Sequence, residues 1–396
     1  MLNQPRTPLF IAIASSFVLT ACGGGGSTTT TQAGTVHFAL TDAPACGFDA
    51  VNVTVSKVRV HKNAAASDSD AGWTDIALNP VRKINLTDLT NGVLLDLGQA
   101  PLEAGRYTQT RLVLTPNTTA NPFANSVIPT GGTEIALDTP SATQSGIKLN
   151  HEFDVSPGTL ADFTLDFDAC KSVVSRGNGS YGLKPVITVI PMIVSGAIKG
   201  VIKPVAATAH PVVSAQLNGV IVKSTVPNST TGEFSLFPLR QTATGAGYSI
   251  VVTADNFATD AITGVPVTAQ ATTNVSTTAA PLPLSASASN TVSGTVTPVA
   301  ASAALRATQS FGTSTTPSIT VKYTNADLTN GTYSMSLPTA APMVGSYGSG
   351  VLPIVFTAQT SAAGSYGVEA AATGYTTQTV PVNVTAGSVM QNFALK

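Results

Sequence analysis

The stretch that decides the fold is Val51-Asn52-Val53-Thr54-Val55-Ser56-Lys57-Val58-Arg59-Val60. Valines at 51, 53 and 55 alternate with polar residues, and those at 58 and 60 alternate in the opposite phase. A period of two puts one set of side chains on one face of an extended strand, whereas a helix would spread them around its axis. β-branched side chains also favour extended backbone. The phase slip at Ser56-Lys57 predicts a bulge. Upstream, Val36-His37-Phe38-Ala39-Leu40 reads as an opening strand that Thr41-Asp42-Ala43-Pro44 breaks. Downstream, residues 73–76, 106–114, 133–137, 146–155, 159–167 and 183–194 read as strands, with a short helix or turn in 85–90. Eight or so strands with frequent turns predict a β-sandwich.

Composition agrees with an all-β chain of several domains. The 396 residues carry 19 basic and 20 acidic side chains, and charged residues are 10% of the total. An ordinary soluble domain has roughly 25%. A net charge of −1 provides no field for nucleic acid, which is excluded as a partner. Charge density also marks a boundary. Residues 35–190 hold 11 basic and 15 acidic side chains, while residues 191–396 hold 12 charges in all. Length suggests two or three domains.

The charge-poor part repeats itself. Gly200-Val201-Ile202-Lys203-Pro204-Val205-Ala206-Ala207 matches Gly294-Thr295-Val296-Thr297-Pro298-Val299-Ala300-Ala301, and Gly232-Glu233-Phe234-Ser235-Leu236 matches Gly331-Thr332-Tyr333-Ser334-Met335. Tyr248–Ala254 matches Tyr366–Ala372 in the same order. The expected organisation is therefore a head at 35–194, one β-sandwich at 195–285 and a second copy at 286–396, with residues 350–357 as an insertion in the second copy. The three sandwiches, of immunoglobulin or transthyretin-like type, are expected in tandem, the repeats forming a stalk or accessory binding modules.

The N-terminus supplies an address. Arg6 precedes an apolar run from Leu9 to Leu19 that is too short to span a bilayer, and the run ends in Leu19-Thr20-Ala21-Cys22. That ending resembles the lipobox of bacterial lipoproteins. The resemblance implies a signal peptide at 1–21, lipid (palmitate included) on Cys22, and membrane attachment through that lipid. Gly23 after the cysteine, in place of Asp, favours the outer membrane, at its periplasmic face or at the cell surface. Residues 22–34, rich in Gly, Ser and Thr, form the lipidated tether. Cys46 and Cys170 remain, and in an oxidising compartment two cysteines most simply form one disulfide, closing about 125 residues.

Two resemblances bear on the folded part. Leu40-Thr41-Asp42-Ala43-Pro44, Trp73-Thr74-Asp75-Ile76, Leu86–Gly92, Leu102–Leu112, Leu165–Ser172 and Tyr181–Val186 run in the order found in the bacterial domain of unknown function 4382, which the head resembles. That family implies no activity. The repeats, with G-x-V-x-P, then T-G-x-F/Y-x-L, then Y-x-V-x-A, are similar to carboxypeptidase-regulatory-like or transthyretin-like modules, which are structural or carbohydrate-associated. Fold analogy alone establishes no binding.

Motifs for catalysis are missing. There is no G-x-S-x-G, and His151-Glu152 lacks a second His at Val155. Asp42, Asp49, Asp166 and Asp168 admit two readings: hard oxygen ligands for Ca²⁺, or turn caps and ion-pair partners. Trp73, Tyr107 and Tyr181 likewise read as a sugar-stacking platform or as core. The expectation is a non-enzymatic, lipid-anchored envelope protein with no cofactor beyond that Ca²⁺. Its partner would be a glycan or another envelope protein. A hydrolase of unknown type is the remaining rival.

Overall fold

The computed structural model describes residues 33–44, 47–311, 318–348 and 351–396. The chain is all-β. Among the described residues no helix is long and apolar enough to cross a membrane.

In the head, strand Phe48–His61 carries the alternating valines and pairs with Thr74–Asn85, Gln109–Leu114 and Ser126–Pro129. Its register shifts between Val55 and Lys57 against two neighbours. The bulge explains the phase slip: one extra residue turns the strand over, so Val51, Val53, Val55, Val58 and Val60 all enter one core. A second sheet runs in the order Ile187–Pro191, Leu160–Asp168, Gly34–Ala43, Leu95–Leu102. Phe38, Leu40, Phe163, Leu165 and Phe167 extend the same core from that sheet.

The opening strand does not break at Thr41. It continues to Ala43 because it lies parallel to Leu160–Asp168, and the pairing runs through Thr41↔Asp166 to Ala43↔Asp168. The head is also more finely divided than eight strands. For example, the run 183–194 separates into Tyr181–Leu183 and Ile187–Pro191. The turn at 85–90 is a 3-10 helix, Leu86–Leu89, capped by the Asn85 side chain on Thr87 N–H.

One outer face of the head is roofed by its own loop. Arg111, with a side chain only 2% exposed, donates to the carbonyls of Ala66 and Ser145 and pairs with Asp68. Gln109 donates to the Asn63 and Ala64 carbonyls, and Trp73 donates to the Ser67 carbonyl. A guanidinium presents five donors in a fixed fork, so it can tie several carbonyls of one loop at once.

The two repeats share a strand order. In the first, Glu233–Arg240, Ser195–Val201 and Thr272–Asn274 form one sheet, while Val220–Thr225, Val212–Leu217, Tyr248–Thr253 and Asp260–Val265 form the other. In the second, Thr332–Pro338, Ser289–Thr297 and Val389–Met390 face Ile319–Asn325, Ala304–Gln309, Ser365–Ala371 and Gln378–Asn383. Gly200 pairs with Phe234 and Gly294 with Tyr333. Tyr248 Oη donates to the Arg240 carbonyl at 2.8 Å, and Tyr366 Oη to the Pro338 carbonyl at 2.6 Å, each at the end of the matching strand. Gly232 and Gly331 have φ of 74° and 71°, and an added Cβ would collide with the carbonyl of Ile202 or Val296. Only glycine fits both turns.

The strand ahead of the expected insertion crosses to the first repeat: Met343–Ser346 adds in parallel to Asp260–Val265, and Thr357–Ala358, where residues 350–357 end, pairs with it in turn. The second repeat thus completes the first repeat's sheet. Elsewhere Gln216 and Thr320 exchange two hydrogen bonds of 2.8 Å across the repeats. Val251 and Ala261 of the first repeat belong to the core of the second.

Asp260, on the strand that receives Met343–Ser346, is buried, and neither carboxylate oxygen has a hydrogen-bond partner. Burial pushes its pKa up to about 8 from 3.8. The folded state therefore holds a neutral acid that ionises on unfolding. Its contribution to stability is present at pH 4 and is lost as pH rises toward 8, by up to about 5 kcal/mol. We expect urea unfolding of Asp260→Asn to lose less stability than wild type between pH 4 and 8. Parallel pH profiles for the two proteins would refute this.

Candidate functional site

The head and both repeats meet at one junction, and a cleft opens there. Its residues come from turns and strand ends. Pro44 ends the opening strand of the head, Phe48 begins the next, and the turn after the 3-10 helix Ala207–Ala209 brings His210. Asp255 follows Tyr248–Thr253, and Lys322 stands on Ile319–Asn325. The cleft encloses about 590 Å³, within the range of small-molecule sites. Pro44, Phe48, Pro211, Val226 and Pro227 give it apolar walls. His210 Nδ1 lies 2.8 Å from Asp255 Oδ2, and Lys322 Nζ is 3.8 Å from the other oxygen of that carboxylate.

A smaller space of about 100 Å³ continues beneath, lined by Asp168, Lys171, Ser224 and Tyr323 among others. Burial, with Asp168 nearby, pushes the Tyr323 phenol up to about 12. Lys171 Nζ is 2.7 Å from Asp168 and 5.7 Å from the Tyr323 ring, and the Lys171 carbonyl accepts from Asn325.

Under this floor lies a buried ion pair. Lys223, on Val220–Thr225, has a side chain 1% exposed, and its Nζ is 2.6 Å from Oδ1 of Asp166, which is 6% exposed. Nζ also donates to the Asp42 carbonyl at 3.2 Å. Asp42 Oδ1 accepts from Ala169 N–H, and Oδ2 has no partner. Burial raises both carboxyls, that of Asp42 strongly.

The four aspartates of the Ca²⁺ reading are therefore otherwise engaged. Asp42 and Asp166 face a lysine. Asp168 accepts from Lys171 N–H as a helix cap, and Asp49 lies apart, accepting from Gly131 N–H. Among the described residues no group of three or more His, Cys, Asp or Glu is placed to hold a metal ion.

The aromatic platform is not assembled. Tyr107 is 3% exposed and stacks on Phe153 at 5.4 Å, so no sugar can reach its face. Tyr181 packs edge-on against Phe48. Trp73 is half-buried, with the guanidiniums of Arg59 and Arg111 at 4.3 and 4.7 Å from its ring. Cys22 and Cys46 lie outside the described residues. Cys170 sits in the short helix Ala169–Ser172, one residue before the Lys171 that lines the junction.

Lys223 and the His210–Asp255 pair had no sequence motif. One signal for Lys223 existed: it is a single charge inside Val220-Ile221-Val222-Lys223-Ser224-Thr225, in the charge-poor half of the chain.

The fold and junction define a class, a multi-unit all-β protein whose units share buried polar contacts. More particularly, residues 33–185 match the family model described as Domain of unknown function (DUF4382). No curated protein matches the chain. Among solved structures, the chain is similar to a type II cohesin–X-dockerin complex from Acetivibrio cellulolyticus, with 26% identity over 23% of this chain and 58% of that one, at a TM-score of 0.18. The Bacillus anthracis TIE protein has 11% identity, with 92% of this chain and 50% of that one covered and a TM-score of 0.17. BcpA, the major pilin subunit of Bacillus cereus, has 12% identity, covering 92% and 99%, at a TM-score of 0.16. The matches span 58% and 50% of the lengths of the first two.

Asn91 tests the junction. At φ 60° it accepts from Ser235 N–H at 2.6 Å through its side chain, and its own N–H donates to Thr225 Oγ1 at 2.7 Å. Asn91→Ala should lower stability by about 2 kcal/mol, from one lost hydrogen bond and the left-handed backbone. Asn91→Gly should recover the backbone share only. Equal stability of all three proteins in denaturant would show that this contact carries no load.

Proposed function

We propose that this chain is a non-enzymatic envelope protein, anchored by lipid on Cys22, whose head and repeats act together as one binding or structural body at the outer membrane. The observation that carries the reading is the junction. Head and repeats share buried polar contacts, as expected of a fixed assembly rather than of modules strung on a flexible stalk. Buried, Lys223 Nζ reaches Asp166 and the Asp42 carbonyl; nearer the surface, Lys184 Nζ donates to the Ser302 carbonyl, Leu328 N–H to the Ser175 carbonyl, and Ser175 Oγ to Asp327. The Gly/Ser/Thr segment after Cys22 would hold that body off the bilayer. The repeats fit the structural role proposed for carboxypeptidase-regulatory-like modules.

Cys22→Ala should leave uncleaved or mislocalised precursor with no acyl mass. A variant that is still processed, acylated and recovered with the outer membrane would refute the anchor.

A second reading is glycan binding at the cleft, favoured by its volume and by the ring of His210, Asp255 and Lys322 over apolar walls. Pull-down with envelope glycans by wild type, lost in Asp255→Ala, would select it.

A Cys46–Cys170 bridge would tie the exit of the opening strand to the helix at the junction. Non-reducing peptide mapping of the mature protein should recover the two cysteines in one linked fragment. Both cysteines alkylated without reduction would overturn the bridge.

A further inference from the structure

We propose that Lys223 and Asp166 become joined by an intramolecular amide bond, a covalent crosslink between the head and the first repeat. The reacting atoms are already in place. Lys223 Nζ lies 2.6 Å from Asp166 Oδ1, with both side chains almost wholly removed from water. The Asp42 carbonyl, 3.2 Å from Nζ, fixes the direction of the amine. Groups held in contact at a fixed orientation react as if at very high concentration, which is what an otherwise slow condensation of amine and acid requires.

The ionic form of the pair is unreactive, because an ammonium has no free electron pair and a carboxylate resists attack. One proton moved along the hydrogen bond gives amine and carboxylic acid, the two species that condense. Burial pushes the Asp166 carboxyl up, toward its acid form, and that of Asp42 as well. The Lys223 nitrogen then attacks Cγ of Asp166. One C–N bond forms, one C–O bond breaks, and the departing oxygen leaves as water with one proton from the acid and one from the nitrogen. Nothing is oxidised or reduced. Asp42, raised by burial and with Oδ2 buried and unpartnered, is the acid we assign to relaying the nitrogen's proton to the leaving oxygen.

The alternative is a permanent ion pair, and mass separates the two. The mature full-length protein, reduced and alkylated, should be lighter by one water than its sequence. Its tryptic map should lack cleavage after Lys223 and contain one branched fragment joining the segments that hold residues 166 and 223. Asp166→Asn should reach the same amide with loss of ammonia instead of water. Lys223→Arg should show the full linear mass. A wild-type protein of full linear mass, cleaved normally after Lys223, overturns the proposal whatever the variants do.

Discussion

One buried contact, between Lys223 and Asp166, fixes the head against the first repeat. Taking a lysine and an aspartate out of water costs several kcal/mol per ion, which only close geometry and further hydrogen bonds offset. Both are present here: a contact of 2.6 Å to Asp166 and a second acceptor in the Asp42 carbonyl. Any other docking of the two units would leave a charge buried without its partner. The pair thus selects one arrangement more than it adds stability. The cleft above inherits that selection, because its walls come from Pro44 and Phe48 on one side and from Pro211 and Val226 on the other.

The repeats show how one sequence pattern can be put to two uses. Their turns are alike down to side chains: Asn228 Oδ1 accepts from the N–H groups of residues 230 and 231, and Asp327 Oδ1 accepts from those of residues 329 and 330. Their surroundings differ. In the first repeat, the turn after the 3-10 helix carries His210, which lines the cleft. In the second, the same turn carries Ser302, whose carbonyl receives Lys184 from the head. Both residues are left-handed, with φ of 46° and 49°. The fold sets the turn, and the residue at its tip sets what the turn touches.

What was legible in the sequence was what depends on neighbours along the chain. Alternating valines fixed the strand, and their phase slip fixed the bulge. Repeated Gly and Tyr positions marked equivalent turns and strand ends. What escaped depends on distant partners. Thr41-Asp42-Ala43 looked like a strand end because Asp and Pro are turn residues, yet its pairing with residues 166–168 extends the strand. Asp42 and Asp166 are plain acidic residues in the sequence, but the lysine that answers them is 57 residues beyond the nearer one, in another unit. Trp73 and Tyr107 are legible as aromatic. Whether they face water or core depends on the loop held down by Arg111 and on Phe153, and no local pattern announces either.

The parallel strand Met343–Ser346 has a further consequence, for the order in which the chain is made. Asp260–Val265 would be an open sheet edge in any nascent chain that had not yet emerged past residue 346, and an unpaired edge invites pairing with other chains. The first repeat therefore cannot cover its own sheet. It waits for some 80 more residues of synthesis, and until then the side of the strand that holds the buried Asp260 stays open to water. A strand borrowed from the next repeat makes the two copies one unit of biogenesis as well as one body.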